Sequence, residues 1–345
     1  MKNTDTNAAP AIPLVKAAFV VPFKVAMANN GVDADRYFKK FRLPLAELDD
    51  PDRLVPEKPF WQLINQVAIA EMIPDFGMQV AQAKPWYSID SLQPLLRNKQ
   101  SLKALLTTFC ELASSQSNVS DFKIRIDNNV CWFENHGQLL ISHDIQMELY
   151  RVTSMIELVQ LATGKNWRPA VIHLVMDRNK VVSKNRFLDD CVLMFSQQQT
   201  AIAFPAGLLD ATISTLPDKP SAARHGMNEP RSLDDIQDKS ELLNAMRELI
   251  SLYITEDDLS IEVIADLAGL STRSLQRIMQ KHNLSYNDLL NEARRQYAET
   301  KLINSASKIS DIAYQLGYND TAHFTRAFKR WTGMTPSAYR NSIAD

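Results

Sequence analysis

An internal repeat near the C-terminal end constrains the fold more than any other feature of the chain. The first copy reads Ile264-Ala265-x-x-Ala268-Gly269-Leu270, and the second reads Ile312-Ala313-x-x-Leu316-Gly317-Tyr318. A glycine at this point permits the backbone conformation that a sharp turn between two helices requires. An amphipathic segment follows each glycine, with one extra turn residue in the second copy. The repeat therefore predicts two helix-turn-helix units.

The segment after the first turn predicts a helix with one apolar and one polar face. Ser271 is a favourable N-cap, and its apolar face carries Leu275, Ile278 and Met279 at spacings of three and four residues. The opposite face carries long hydrogen-bond donors that can reach guanine or adenine edges in a major groove. These residues are Arg273, Gln276, Arg277 and Gln280.

The segment after the second turn predicts a similar helix, capped by Asn319 or Asp320. Its expected buried stripe consists of Phe324, Ala327, Phe328 and Trp331. Its outward face carries Thr321, Ala322, Thr325 and Arg326. Because an alanine offers only a methyl contact to thymine, we expect the second unit to read the base sequence less sharply than the first.

One continuous helix is predicted between the two units, over Tyr286–Asn304. The residues on its apolar face are Leu290, Ala293, Tyr297, Ala298 and Leu302. Such a helix is about 28 Å long, and helices held about 34 Å apart meet successive major grooves on one side of B-DNA. A single helix-turn-helix pattern is as often an ordinary packed helical hairpin as a DNA-binding unit. Two units joined by such a spacer favour DNA binding.

The charge of the chain is unevenly distributed. The formal net charge of the whole chain is −2, which by itself argues against DNA binding. From 229 to 268 acids outnumber basic residues by eleven to three, whereas from 269 to 340 basic residues outnumber acids by eleven to five. The final stretch therefore has the basic character that phosphate contacts require.

The length and one irregular segment predict two domains. A chain of 345 residues with 45% hydrophobic content is too long for one small domain and can form real cores. Between Ser214 and Ser240, prolines stand among small and charged residues with almost no apolar periodicity. The expected division is a disordered segment at 1–13, a first domain at 14–216, a linker at 217–238 and a DNA-binding domain at 239–345.

The first domain mixes helical and strand patterns. Apolar spacing predicts helices, and period-two alternation predicts strands, including a hairpin that turns at Asn128-Asn129. The predicted helices are Phe60–Met72, Leu102–Leu112 and Ile145–Leu161; the predicted strands are Phe122–Asp127, Val130–Phe133, Val171–Met176, Val192–Phe195 and Ala201–Phe204. The overall prediction is an α+β N-terminal sensor domain plus an all-α C-terminal domain with two helix-turn-helix units joined by a long helix.

The N-terminal apolar stretch does not predict an export signal. Lysines and prolines interrupt Ala8–Ala28, so no hydrophobic run of export length remains, and we expect a cytoplasmic protein with no membrane association. The three cysteines are odd in number and form no CxxC pair, which is typical of a reducing compartment. They are Cys110, Cys131 and Cys191.

The sequence of the first domain gives little support for a metal or ligand site. His136, His143 and His173 have no carboxylate or cysteine at ligand spacing, so structural roles are favoured, and we expect no metal and no cofactor. Its tryptophans either line an effector pocket or pack in the core, which is commoner. They are Trp61, Trp86, Trp132 and Trp167. Arg168 either binds an anionic ligand or pairs with a core carboxylate, and we favour the second role.

Three runs of residues carry a family resemblance. They are Ser271-x-x-x-Leu275-Gln276-Arg277, Arg294-x-x-x-Ala298-x-x-x-Leu302, and the closing run from Ile309 through Gly317-Tyr318-x-Asp320 and Thr335-Pro336-x-x-Tyr339-Arg340. From about Leu259 to Arg340 the sequence resembles the AraC/XylS family of bacterial transcription regulators. The resemblance implies promoter DNA and RNA polymerase as partners, with activation as the default. It places base-reading positions on Arg273, Gln276 and Arg277, then on Thr321, Ala322, Thr325 and Arg326.

The first domain resembles the arabinose-binding-type sensor domain of ornithine-utilisation-type AraC regulators. The resemblance rests on Gly31-Val32-Asp33, Pro74-Asp75-Phe76-Gly77, Asn166-Trp167-Arg168-Pro169 and Ala203–Asp210. It implies a module that binds a small molecule or forms a homodimer, without implying arabinose as the ligand.

Two other classes of function remain as alternatives. The AraC-like fold also occurs in alkyl-transfer DNA-repair proteins, in which reactive cysteines do the chemistry. Cys131 and Cys191 lie in apolar segments without an adjacent base that would form a thiolate, so we expect no catalytic residue and no enzyme. An architectural DNA-bending protein without effector control is the second alternative, although it would hardly need a first domain of this size.

Overall fold

The structure, a computed structural model, describes residues 12–85, 100–114, 116–137, 144–213, 239–256, 259–304 and 307–344. The chain divides into two compact units, one spanning Pro13–Asp235 and the other including Ile236–Asp345. The first unit is of mixed α and β structure and the described part of the second is all-helical, as the sequence predicts. Residues 1–11, the predicted linker at 217–238, Trp86 and His143 lie outside the described residues. The proposed domain bounds therefore stay predictions.

Helices form one layer of the first unit. In the described residues the α-helices are α1 (Ala17–Asn29), α2 (Ala34–Lys40), α3 (Glu57–Ala70), α4 (Phe76–Ala83), α5 (Leu102–Ala113), α6 (Ile145–Thr163) and α7 (Lys180–Ser183). Short 3-10 helices occupy Leu45–Asp49, Arg186–Leu188 and Ala206–Asp210. Helix α6 is buried around most of its circumference, which makes it the central helix of this core.

A five-stranded sheet forms the other layer. Its strands are β3 (Phe122–Asp127), β4 (Val130–Asn135), β5 (Val171–His173), β6 (Val192–Met194) and β7 (Thr200–Pro205), in the order β3-β4-β7-β5-β6. Only the pair β5 and β6 is parallel among these. A separate antiparallel pair joins β1 (Leu14–Lys16) to β2 (Leu54–Pro56).

The predicted hairpin is confirmed. Strands β3 and β4 pair in register from Phe122 with Asn135 to Asp127 with Val130. Asn128 and Asn129 both have positive φ, at 47° and 65°, which fits the two-residue turns that match strand twist. The rings of Phe109, Phe122 and Phe133 then pack together between α5 and this hairpin, with centroids 4.8 to 5.6 Å apart.

One strand of the first unit is shorter than the sequence predicts. The strand expected at Val171–Met176 ends at His173, because its parallel partner β6 spans only three residues and the chain then bends. In the N-terminal apolar stretch, Pro22 lies inside α1 and is buried. No helix in the described residues is both long enough and apolar enough to cross a membrane.

The second unit consists of helices in its described part. They are α8 (Lys239–Leu252), α9 (Ile261–Leu267), α10 (Thr272–Lys281), α11 (Tyr286–Asn304), α12 (Ile309–Gln315), α13 (Thr321–Thr332) and α14 (Pro336–Ala344). The first of these helices, α8, has Met246 and Leu249 fully buried. The predicted connecting helix is α11, with the predicted bounds.

Candidate DNA-binding interface

The first helix-turn-helix unit consists of α9, a turn and α10. Gly269 adopts φ +72°, and the amide of Leu270 then donates to the carbonyl of Ala265 at 2.8 Å, which reverses the chain. The hydroxyl of Ser271 accepts from the amide of Ser274 at 3.1 Å, so the predicted cap is confirmed. The predicted apolar face is confirmed too: its three side chains are at most 4% exposed.

The second unit repeats this geometry with α12 and α13. Gly317 adopts φ +76°, and the carboxylate of Asp320 accepts from the amide of Ala322 at 2.9 Å, so Asp320 rather than Asn319 is the cap. Phe324 and Phe328 are fully buried. Trp331 is only half-buried, which corrects the predicted stripe. The helix ends at the next residue, Thr332, and Gly333 caps it in a left-handed conformation.

Helix α11 is tied to both units. Near its N-terminal end, the hydroxyl of Tyr286 donates to the carbonyl of Leu259, just before α9, at 2.7 Å. In its C-terminal half, the hydroxyl of Tyr297 lies 3.0 Å from the side-chain oxygen of Gln315 on α12. Five of its residues are buried. These contacts give the two units a common rigid spacer.

The structure sets the predicted base-reading side chains on the outer faces of α10 and α13. Arg273, Gln276, Arg277 and Gln280 are exposed on α10, and Thr321, Ala322 and Arg326 are exposed on α13. Thr325 is half-buried, so it projects less than the outward face predicts. Among the described residues, Arg273, Arg277 and Arg326 form no ion pair. Contact with bases stays a prediction.

Three other arginines of the basic stretch have internal partners, which the sequence pattern did not reveal. Arg295 bridges Glu292 at 2.8 Å and Glu299 at 3.5 Å, and its guanidinium lowers the pKa of the Glu292 carboxyl. The guanidinium of Arg294 lies 5.6 Å from the ring centroid of Tyr318, in the turn of the second unit. Arg340 donates to the carbonyl of Ser307 at 2.7 Å. These three arginines therefore contact other groups of the same unit.

The cysteines of the first unit lack the features of reactive thiols. Burial raises the pKa of Cys110 to about 12 and the pKa of Cys131 and Cys191 to about 11. A nucleophilic cysteine needs a lowered pKa and a neighbouring base or cation.

Two residues singled out in the first domain have partners that the sequence analysis did not name. His136 lies 2.9 Å from the carboxylate of Glu134, which Arg125 also contacts at 2.7 Å. Arg168 donates to the backbone carbonyls of Phe187 and Trp167 at 2.7 Å each, and among the described residues it contacts no carboxylate. Within the described residues, histidine, cysteine and carboxylate side chains form no cluster able to hold a metal ion.

Comparison with known proteins matches each part of the chain to a family. Residues 31–213 match the family described as the N-terminal arabinose-binding domain of the AraC transcription regulator. Residues 264–342 match a family of helix-turn-helix domains. The first of these alone covers more than half of the chain.

Individual relatives are more distant. The chain is 30% identical over 104 residues to the HTH-type transcriptional regulator VqsM of Pseudomonas aeruginosa, which is 29% of this chain and 32% of VqsM. It is 35% identical over 101 residues to the ornithine utilization regulator of the same species, which is 29% of this chain and 30% of that protein. The chain thus spans about a third of the length of these relatives.

A solved structure aligns with nearly the whole chain at low identity. The crystal structure of the transcriptional regulator CdpR from Pseudomonas aeruginosa covers 94% of this chain and 98% of its own, at 15% identity and a TM-score of 0.42. The family assignment does not depend on that likeness, because the two domain matches carry it. The chain belongs to the AraC family of DNA-binding transcription regulators, and not to a family of enzymes, and its N-terminal domain is of the arabinose-binding type.

Proposed function

We propose that this regulator binds its operator by placing α10 and α13 in two successive major grooves on one side of the duplex. The observation that carries the proposal is the rigid attachment of both helix-turn-helix units to α11, a helix of 19 residues. Its length is about 28 Å, close to one turn of B-DNA. The proposed base-reading residues are Arg273, Gln276, Arg277, Gln280, Thr321, Ala322, Thr325 and Arg326.

Phosphate contacts are expected to supply much of the affinity. Exposed Lys281, Lys308, Lys329 and Arg330 lie in the same unit as these faces. Each lysine or arginine that neutralises a phosphate releases a counterion, so affinity falls steeply as salt rises. Specificity would then rest on the reading faces alone.

Selection from random DNA tests this function. The full-length chain is incubated with a random duplex library, and the bound duplexes are amplified and sequenced. We expect a site with two recognised segments about one helical turn apart, the segment under α10 being the more sharply specified because α13 carries Ala322. Enrichment of no sequence, with scrambled DNA bound equally well, would instead favour an architectural DNA-bending protein.

We propose further that the first domain makes the regulator a homodimer. One DNA-binding unit spans only two major grooves, and the acids of the basic stretch offset part of its charge. A second tethered unit can raise affinity by roughly 10² to 10⁴ through effective concentration. Sedimentation of the full chain and of residues 1–216 tests this, with a dimer expected for both at tens of micromolar. A strictly monomeric 1–216 segment would refute the claim.

Regulation is proposed to combine activation with control by a small molecule. The support is the family, together with a pocket among the helices of the first domain. A ligand that binds one dimer arrangement better than another would shift the population of DNA-competent molecules. Activation implies that the regulator contacts RNA polymerase at a promoter. The regulator would then act in the cytoplasm. A reporter gene under the selected operator distinguishes activation from repression.

A further inference from the structure

A pocket opens into the core of the first unit. It lies among α1, α3, α5 and α6 and the start of β3, and encloses about 490 Å³ of empty space including its mouth. Aromatic rings line much of it, among them those of Phe19, Trp61, Phe109 and Phe122. The apolar walls suit the apolar part of a small organic molecule.

One wall of the pocket carries a buried acid that forms no ion pair among the described residues. Glu57 is 5% exposed, and its carboxyl oxygens accept from the indole N–H of Trp61 at 3.1 Å and the hydroxyl of Ser117 at 2.7 Å. Among the described residues no lysine or arginine reaches ion-pair distance of it. Burial raises the pKa of this carboxyl, although both hydrogen bonds and the charge of Arg151 oppose the rise. A buried carboxylate without a cation is unfavourable.

The same pocket carries an arginine whose donors are largely unused. Arg151 projects from α6, is half-buried and lines the pocket. Among the described residues its guanidinium makes one hydrogen bond, of 3.5 Å, to the hydroxyl of Thr200, which also lies 2.8 Å from Glu148. A guanidinium offers five N–H donors that fit a carboxylate in two parallel bonds.

Two hydroxyl groups on α6 complete the polar part of the lining. Tyr150 is 4% exposed and Ser154 is 6% exposed, and the two hydroxyls interact with each other. Both residues line the pocket, so they add polar groups to a wall that is otherwise largely aromatic.

We propose that this pocket binds a small amino acid with an apolar or aromatic side chain, its ammonium group contacting Glu57 and its carboxylate contacting Arg151. The inference rests on the proposed effector control and names the chemical class of the effector. A simple carboxylate would leave the acid of Glu57 unpaired, and a simple amine would do the same to Arg151. A zwitterion pairs with both charges, while the aromatic rings cover its side chain.

Calorimetric titration of the full-length chain tests the class without any variant. The probes are L-phenylalanine, L-tyrosine, L-tryptophan, L-leucine and L-methionine, each with its deaminated and its decarboxylated analogue. We expect at least one amino acid to bind and to raise the melting temperature. Both of its analogues should bind at least tenfold more weakly. Binding by none of the amino acids, or equal binding by an analogue, would overturn the proposal.

Two substitutions assign the contacts. Glu57→Gln should weaken the amino acid at least tenfold without weakening the deaminated analogue, whereas Arg151→Gln should weaken the amino acid without weakening the decarboxylated one. Asp35→Asn and Arg186→Gln remove exposed charges of the same unit and serve as controls that should change nothing. Equal losses for all three compounds in both variants would contradict the assigned contacts.

The outcome is separable from that of the proposed function. These titrations contain no DNA, so their failure leaves operator binding untouched. Conversely, an amino acid that binds as expected but leaves operator affinity unchanged would refute effector control while the ligand class stands.

Discussion

Replacing Gly77 by alanine is expected to destabilise the first unit by about 3 kcal/mol, at the upper end of overpacking effects. A Cβ atom built at this position would lie 2.2 Å from the backbone oxygen of Gln146 on α6. That oxygen belongs to the central helix of the core and cannot move aside as a flexible side chain would. The amide of Gly77 also donates to the side-chain oxygen of Gln146 at 2.8 Å, a bond that separation of the helices would break.

Scanning calorimetry of the full-length chain measures this effect on the transition of the first unit. Gly207→Ala is the matched control, because its added Cβ would meet no atom within 4 Å. We expect the control to change stability by less than about 0.5 kcal/mol. Equal melting temperatures for both variants would show that α4 and α6 are not packed as closely as the structure has them.

Replacing Phe328 by alanine is expected to lower the free energy of unfolding of the second unit by about 3 to 5 kcal/mol. We also expect the variant to lose DNA binding through α13. Phe328 is fully buried, and its ring centroid lies 5.4 Å from that of Tyr339 and 5.8 Å from that of Phe324. The ring joins α13 to α14, so its loss leaves a cavity where the proposed reading helix is held.

Chemical denaturation and DNA affinity of the same variants test this prediction. Phe328→Leu should cost less than the alanine variant, because most of the buried volume is kept. Tyr314→Ala removes an aromatic ring that is 75% exposed and should change stability by less than about 0.5 kcal/mol. A Phe328→Ala variant with unchanged stability would contradict the assigned core.

Features that depend on neighbouring residues could be predicted from the sequence. The connecting helix follows the predicted bounds because its apolar spacing continues over 19 residues. The hairpin of β3 and β4 is encoded locally by alternation and by two asparagines that tolerate positive φ. Ser271 and Asp320 cap their helices because short polar side chains bond to the amides that follow.

Features that depend on contacts between distant residues could not be predicted from the sequence. The order of the five strands follows from pairings across the whole first unit, and β5 ends early because β6 is short. Trp331 continues the apolar spacing of α13 yet is only half-buried. The pocket brings Glu57 and Arg151 together from helices far apart in the chain, so no local motif marks them. Arginines in internal pairs cannot be separated by composition from those facing DNA.

The affinity of Arg277→Ala and of Arg326→Ala for the selected operator, measured over a range of salt concentrations, tests the account most directly. Each variant removes an exposed guanidinium from one proposed reading face and leaves the buried stripe intact. Arg295→Gln, which alters an arginine already paired with Glu292, is the matched control. We expect each alanine variant to lose about 1 to 3 kcal/mol of specific binding while the control keeps its affinity. Folded alanine variants that bind the operator with unchanged affinity and salt dependence would contradict the assignment of α10 and α13 as the helices that read DNA.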